Sequence, residues 1–332
     1  MVDSEVLRRL GKVVLGILAV AVAYYATAQA GLQEQVVVKG AKVTPLWPPT
    51  GVSLTCLLLF GLRVWLGIPL GALLTVASIG SLTPAAAVIV AGNALAPLCS
   101  YLLLRRVGFR NDLSRLSDGL ALVFLGALAG MLISSTAGST ALLAEGMLPA
   151  SGFWRIWAAW WTGDAMGVLT ITPVLLTVRN IRLPGGHRVL RWAEPAALLL
   201  GTVAVAVLVT RSSLSLLFLV FPLLIWAALR FQLAGAAPCV LLVSVIAVLG
   251  ATGHRGPFAH QGVLGTMVVL QALNGAAALT GLLLGAVVAE REATFRRIEQ
   301  ACVDLAEVVE RLAPGQLGLP WIAPEDPPRS DP

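Results

Sequence analysis

Ten stretches of the chain are rich in apolar residues and poor in charge: 13–30, 51–61, 64–79, 84–104, 119–140, 153–178, 193–210, 214–229, 234–251 and 263–289. An α-helix needs roughly 20 such residues to cross about 30 Å of hydrocarbon, so most of these predict transmembrane helices. The second and third are short and separated only by Leu62 and Arg63. They form either two crossings or one re-entrant pair, giving about ten or about eight spans and leaving the parity unchanged. Beyond Ala289 the pattern changes. Phe295, Ile298, Cys302, Leu305, Val309 and Leu312 are spaced three, four, three, four, three, which is the heptad period of a coiled coil. A dimeric coiled coil is the favoured reading over a helix lying on the bilayer. Pro314-Gly315 ends that segment, and the proline-rich remainder has no apolar face to pack. The expected fold is therefore all-α: a polytopic integral membrane helix bundle of about 8–10 transmembrane helices, then a short cytoplasmic amphipathic helix. Its divisions are a transmembrane domain over 1–289, a heptad-patterned helix over 290–313 and a disordered tail over 314–332.

Composition agrees with lipid as the solvent. The 332 residues are 58% hydrophobic and 12% charged, with mean hydropathy +0.87, against roughly 25% charged in a soluble domain. A net charge of +6 would suit nucleic acid, but the basic residues lie in short clusters between apolar runs and read as topology signals. Counted on alternate sides up to Glu310, sixteen Lys and Arg fall on the side of Arg8, Arg63 and Arg105 and five on the other. That asymmetry places both termini in the cytoplasm. The first run is longer than a signal-peptide core, so it reads as an uncleaved helix despite the small residues at its end.

Four cysteines without metal-type spacing give neither a disulfide framework nor a zinc site. No phosphate-binding glycine loop, serine-nucleophile motif or paired-histidine helix is visible, so no enzyme activity, cofactor or metal is predicted. His254 and His260 read as solvated loop residues.

Asp164 is the residue that demands an account, because it lies about ten residues inside its apolar run. A carboxylate at a helix centre costs roughly 2.5 to 3.5 kcal/mol, so it should face the bundle interior and either pair with a cation or sit protonated. Arg63 or Arg230, both at span edges, could supply that cation. Trp47, within Pro45-Leu46-Trp47-Pro48-Pro49-Thr50-Gly51, belongs to a rigid external loop capping the bundle, since clustered prolines forbid helix. Trp161 beside Asp164, and Asn93 on another span, complete the candidate polar core. Ser134, Ser135, Gln271 and Asn274 read mainly as helix-to-helix hydrogen bonders, and Gly163 with Gly167 as a close-packing pair.

Three motifs together carry a family likeness: Trp47-Pro48-Pro49-Thr50-Gly51; Phe60-Gly61-Leu62-Arg63-Val64-Trp65-Leu66-Gly67-Ile68; and Trp161-Thr162-Gly163-Asp164-Ala165-Met166-Gly167-Val168-Leu169 with Pro173. In order and spacing the chain resembles the membrane-associated sensor domain of the first type, the MASE family of bacterial signalling receptors, over roughly residues 10 to 290. The resemblance implies a membrane sensory module that detects an unidentified stimulus and works with a cytoplasmic histidine kinase or cyclic-diguanylate enzyme. Such an enzyme is not recognisable after the heptad stub. The expectation is either a separately encoded partner docking there, with the chain itself a homodimer, or a truncated receptor. The alternative function is a small-solute or ion-coupled transporter using Asp164, and a scaffold would leave that residue purely structural.

Overall fold

The computed structural model describes residues 4–33, 36–38, 41–180, 190–212, 216–259 and 262–312. The tail 314–332 and His260 lie outside them. Internal contacts divide the chain into two units, Met1–Ala289 and Glu290–Pro332.

Among its described residues the first unit carries helices and one short hairpin. It begins with α1 (Ser4–Gln33), followed by β1 (Val36–Val38) paired antiparallel with β2 (Ala41–Val43). Then come α2 (Pro48–Phe60), α3 (Gly67–Ile79) and α4 (Pro84–Arg106). α5 (Leu116–Ala121) runs through a π-helical stretch, Leu122–Ala129, towards α6 (Leu132–Ala144). The last four are α7 (Phe153–Asn180), α8 (Leu190–Arg211), α9 (Val220–Thr252) and α10 (Val263–Leu312), of which α10 alone extends into the second unit.

Among the described residues seven helical segments are long and apolar enough to cross a bilayer, and α2 with α3, bent 117° apart, passes the same test as a pair. Pro48 and Pro49 open α2, where their missing N–H groups cost nothing, and Gly61 ends it at φ 73°. Of the two apolar runs expected at 214–229 and 234–251, the second and residues 220–229 of the first fall within α9, whose single non-helical residue is Gln232 (φ 52°, ψ −145°). The chain reverses there. Arg230 pairs with Glu194 near the start of α8, which at 1.5 Å per residue lies about 25 Å from Arg211. Six residues from Arg211 to Leu217 reach only about 21 Å, so the first arm of α9 must return along α8 before the second arm retraces it. Accordingly Gly250, late in α9, packs on Thr210, late in α8.

Small residues let the helices approach closely. Gly67 and Gly71 of α3 sit on Ile17 and Tyr24 of α1, Gly92 of α4 on Ala137 of α6, and Gly281 and Gly285 of α10 on Val240 and Leu233 of α9. Outward-facing side chains such as Leu15, Val22, Leu200 and Leu208 are 63–70% exposed, which suits hydrocarbon and would be a liability in water.

The bundle has two unlike ends. At one, Arg105, Arg110 and Arg179 surround a cavity of about 460 Å³ with Leu59 and Asn111. At the other, the Gln29 amide donates to Ser78 Oγ at 2.8 Å, and both Thr83 Oγ1 and Glu145 Oε1 accept N–H groups at the start of α4.

Candidate functional site

Asp164 is fully buried in the middle of α7. The Ser134 hydroxyl of α6 donates to its Oδ2. Oδ1 has no partner among the described residues, and no ion pair there reaches the carboxyl group. A half-satisfied buried carboxyl is costly, so its retention calls for a reason beyond packing.

The Trp47 loop is built against the same stretch of α7. Trp47 N–H donates to Gly163 O at 3.0 Å. The Thr50 hydroxyl lies 2.8 Å from Trp47 O and 3.0 Å from the Asp164 backbone oxygen, and the Thr172 hydroxyl donates to Gly51 O at 3.2 Å. This contact exists because α7 has no Cβ where the loop arrives: one at Gly163 would overlap the Thr44 carbonyl oxygen, and one at Gly167 that of Trp47. Gly163 lies ten residues into α7, so α2 begins about 15 Å along that helix rather than at its end. The loop therefore enters the bundle instead of lying across its rim.

Above Asp164 is a cavity of about 620 Å³ whose lining extends to the end carrying Gln29, Ser81 and Met147. Its deeper wall includes Tyr24, Trp47, Asn93 and Trp160, with Asp164 at the floor and Glu145 near the mouth. Tyr24 is 1% exposed, packs in one apolar cluster with Trp47, and lines the cavity together with Asp164. Asn93 is buried, with Oδ1 unpartnered. The volume and the mix of aromatic walls with a few polar groups are those of a small-molecule site.

Of the residues expected in the polar core, the structure brings Asp164, Trp47 and Asn93 to this one cavity and leaves two elsewhere. Trp161 turns away from it: its indole N–H donates to Leu128 O at 2.8 Å, a carbonyl in the π-helical stretch, and its ring stacks on Trp157. Arg63 is exposed in the Gly61–Val64 turn and does not line the cavity, and Arg230 is engaged with Glu194, so neither serves as the counter-cation of Asp164. Residues that sequence inspection passed over fill the gap. Ile156, Trp160 and Asp164 recur at every fourth position, and all three line the cavity, as side chains one helical turn apart must share a face. Ser134 was singled out only as a packing hydrogen bonder.

A polar link joins the Trp47 loop to α10. Pro45 is buried two residues before Trp47, and its carbonyl oxygen accepts from Gln271 Nε2 on α10 at 2.9 Å.

The family model for MASE1 matches residues 17–292, a stretch that includes the cavity, the Trp47 loop and the Gln271 link. The chain belongs to the MASE1 family. No curated protein and no solved structure matches it. MASE1 domains are membrane sensor domains of signalling receptors, which work with cytoplasmic kinase or cyclase domains. A membrane sensory role follows for this MASE1 chain. No group of three or more metal-ligating side chains occurs among its described residues.

Proposed function

We propose that this MASE1 chain is a non-enzymatic receptor of the bacterial inner membrane that receives a small solute in the Asp164 cavity and passes the event through α10 to a cytoplasmic signalling partner. The arginine-rich end faces the cytoplasm by the positive-inside rule, so the cavity opens outward and both termini are internal. The observation carrying the proposal is the Gln271 to Pro45 hydrogen bond. A solute seated against Trp47 moves a loop that is bonded at its other end to the helix leading out of the bundle. α10 then supplies the output surface. Phe295, Ile298 and Leu305 are 55–64% exposed and share the heptad face with Cys302, and a second copy of this chain covers that face as a parallel coiled coil. A histidine kinase or cyclic-diguanylate enzyme reads the pair.

The test is the rate of oxidative crosslinking through Cys302 in membranes, for the unchanged chain and for Gln271→Ala and Trp47→Phe. The expected result is a change of about fivefold or more in both variants, with Gly201→Ala, remote from the loop, unchanged. Identical rates in all four would overturn the proposal. An ion-coupled transporter would draw on the same buried carboxyl. Solute uptake into proteoliposomes that is abolished by Asp164→Asn would decide for that reading instead.

A further inference from the structure

The cavity wall is selective in charge as well as in size. Among the described residues that line it there are two carboxyl groups, Asp164 and Glu145, and no lysine, arginine or histidine. Two buried acceptor oxygens within the lining, Asp164 Oδ1 and Asn93 Oδ1, lack a donor. Three aromatic side chains, Tyr24, Trp47 and Trp160, belong to the same wall. Each feature favours one kind of occupant. An unpartnered carboxyl at bilayer depth is stabilised by a cation and made costlier by an anion or a neutral group that excludes water from it. Aromatic faces attract ammonium groups by the ring quadrupole, most strongly where water is excluded. A carboxylate at the mouth raises the local concentration of cations and repels anions. A bare metal ion is not the match, since the oxygen donors are few and most of the wall is carbon.

We infer that the ligand of the outward cavity is a small organic cation, a primary or quaternary ammonium compound whose charged group sits among Tyr24, Trp47 and Trp160 with Asp164 as its counter-ion. The inference rests on the sensory reading for its biological meaning and on the cavity alone for its chemistry. Asp164 is then the charge that the ligand completes, Asn93 accepts a second N–H or O–H, and the apolar upper walls hold the organic part.

The test uses the full chain in lipid nanodiscs and two pairs of probes: phenethylamine with its neutral counterpart 2-phenylethanol, and choline with 3,3-dimethyl-1-butanol. Binding is read from tryptophan fluorescence and from the thermal shift that a ligand specific for the folded state produces. At least one cation is expected to bind saturably, about tenfold or more tighter than its neutral partner, and Asp164→Asn is expected to weaken the cation by about 30-fold or more while leaving the neutral probe unchanged. Should Asp164→Asn not fold, Glu145→Gln carries the comparison. It keeps the oxygen that accepts Ala85 N–H and removes the mouth charge, with an expected loss of about threefold for the cation alone. Equal binding of neutral and charged partners, no saturable binding of either cation, or indifference of the cation to the variant that folds would overturn the inference. Cys302 crosslinking separates this from the sensory proposal. Cation binding with crosslinking unmoved by ligand and by cavity variants overturns the receptor and keeps the ligand class; crosslinking that responds to cavity variants without cation binding does the reverse.

Discussion

Gly167 and Trp47 meet backbone to backbone: the Trp47 carbonyl oxygen occupies the space that a Cβ on Gly167 would need. Two of the three family motifs are therefore halves of one contact. Pro48-Pro49-Thr50-Gly51 starts a helix inside the bundle, and Gly163 and Gly167 clear the surface of α7 on which it lands. Replacing Gly167 by alanine forces one backbone away from the other. The expected cost is at least the 1–3 kcal/mol of ordinary overpacking, seen as a lowered melting temperature in detergent. Gly201→Ala on α8 meets nothing within 4 Å and should show no such loss.

Ser134 supplies the one hydrogen bond that Asp164 accepts on its side chain among the described residues. Removing the hydroxyl leaves both carboxyl oxygens of this fully buried side chain without a partner among the described residues. Ser134→Ala should therefore destabilise the fold by about 1–3 kcal/mol, and combining it with Asp164→Leu should recover part of that loss, because the unsatisfied group is then gone. A double-mutant cycle of denaturation free energies measures this directly. Additive losses would argue that the two side chains do not interact.

Most of the architecture was legible because lipid imposes a simple rule: every spanning segment must be apolar and long, and hydropathy reports both. The reversal at Gln232 was legible too, as a break between two apolar runs. The cavity was only partly so. Asp164 announces itself by its cost in hydrocarbon, and the prolines beside Trp47 mark a break in helix, yet neither says which neighbours face them. Trp161 was chosen for its motif, whereas the four-residue turn of α7 puts Trp160 on the Asp164 face. Tyr24 carries no sequence signal at all. It reaches the site because Gly71 lets α3 press against α1 at that level, a packing fact between two distant segments. Arg63 looked like a counter-charge because it interrupts an apolar run, but charges at such interruptions mark where the chain leaves the membrane.

Topology can be checked by labelling single cysteines, in a background with the native four replaced, using a membrane-impermeant maleimide. Ser81→Cys, exposed beside the cavity mouth, should react in intact cells. Asp112→Cys lies at the arginine-rich end and should react only after the membrane is opened. The reverse pattern would invert the molecule and turn the cavity towards the cytoplasm.

The heptad face of α10 makes a prediction with a period. In a parallel dimer, residues at the two core positions face their twins, so cysteines placed singly at 295, 298 and 305 should crosslink as native Cys302 does, each in a chain where Cys302 is serine. Glu299 and Arg296, on other faces of the same helix turn, should crosslink weakly as cysteines. Val303 and Val308 are also exposed but lie off the core positions, which makes them the discriminating pair. An amphipathic helix lying on the bilayer would bury its apolar side in lipid, leaving no position favoured for crosslinking and making the yield fall with lipid dilution. A yield that peaks at 298, 302 and 305, drops at 303 and survives dilution fits only a paired helix, and that pairing is what allows a shift begun at Pro45 to be read as a change between two chains.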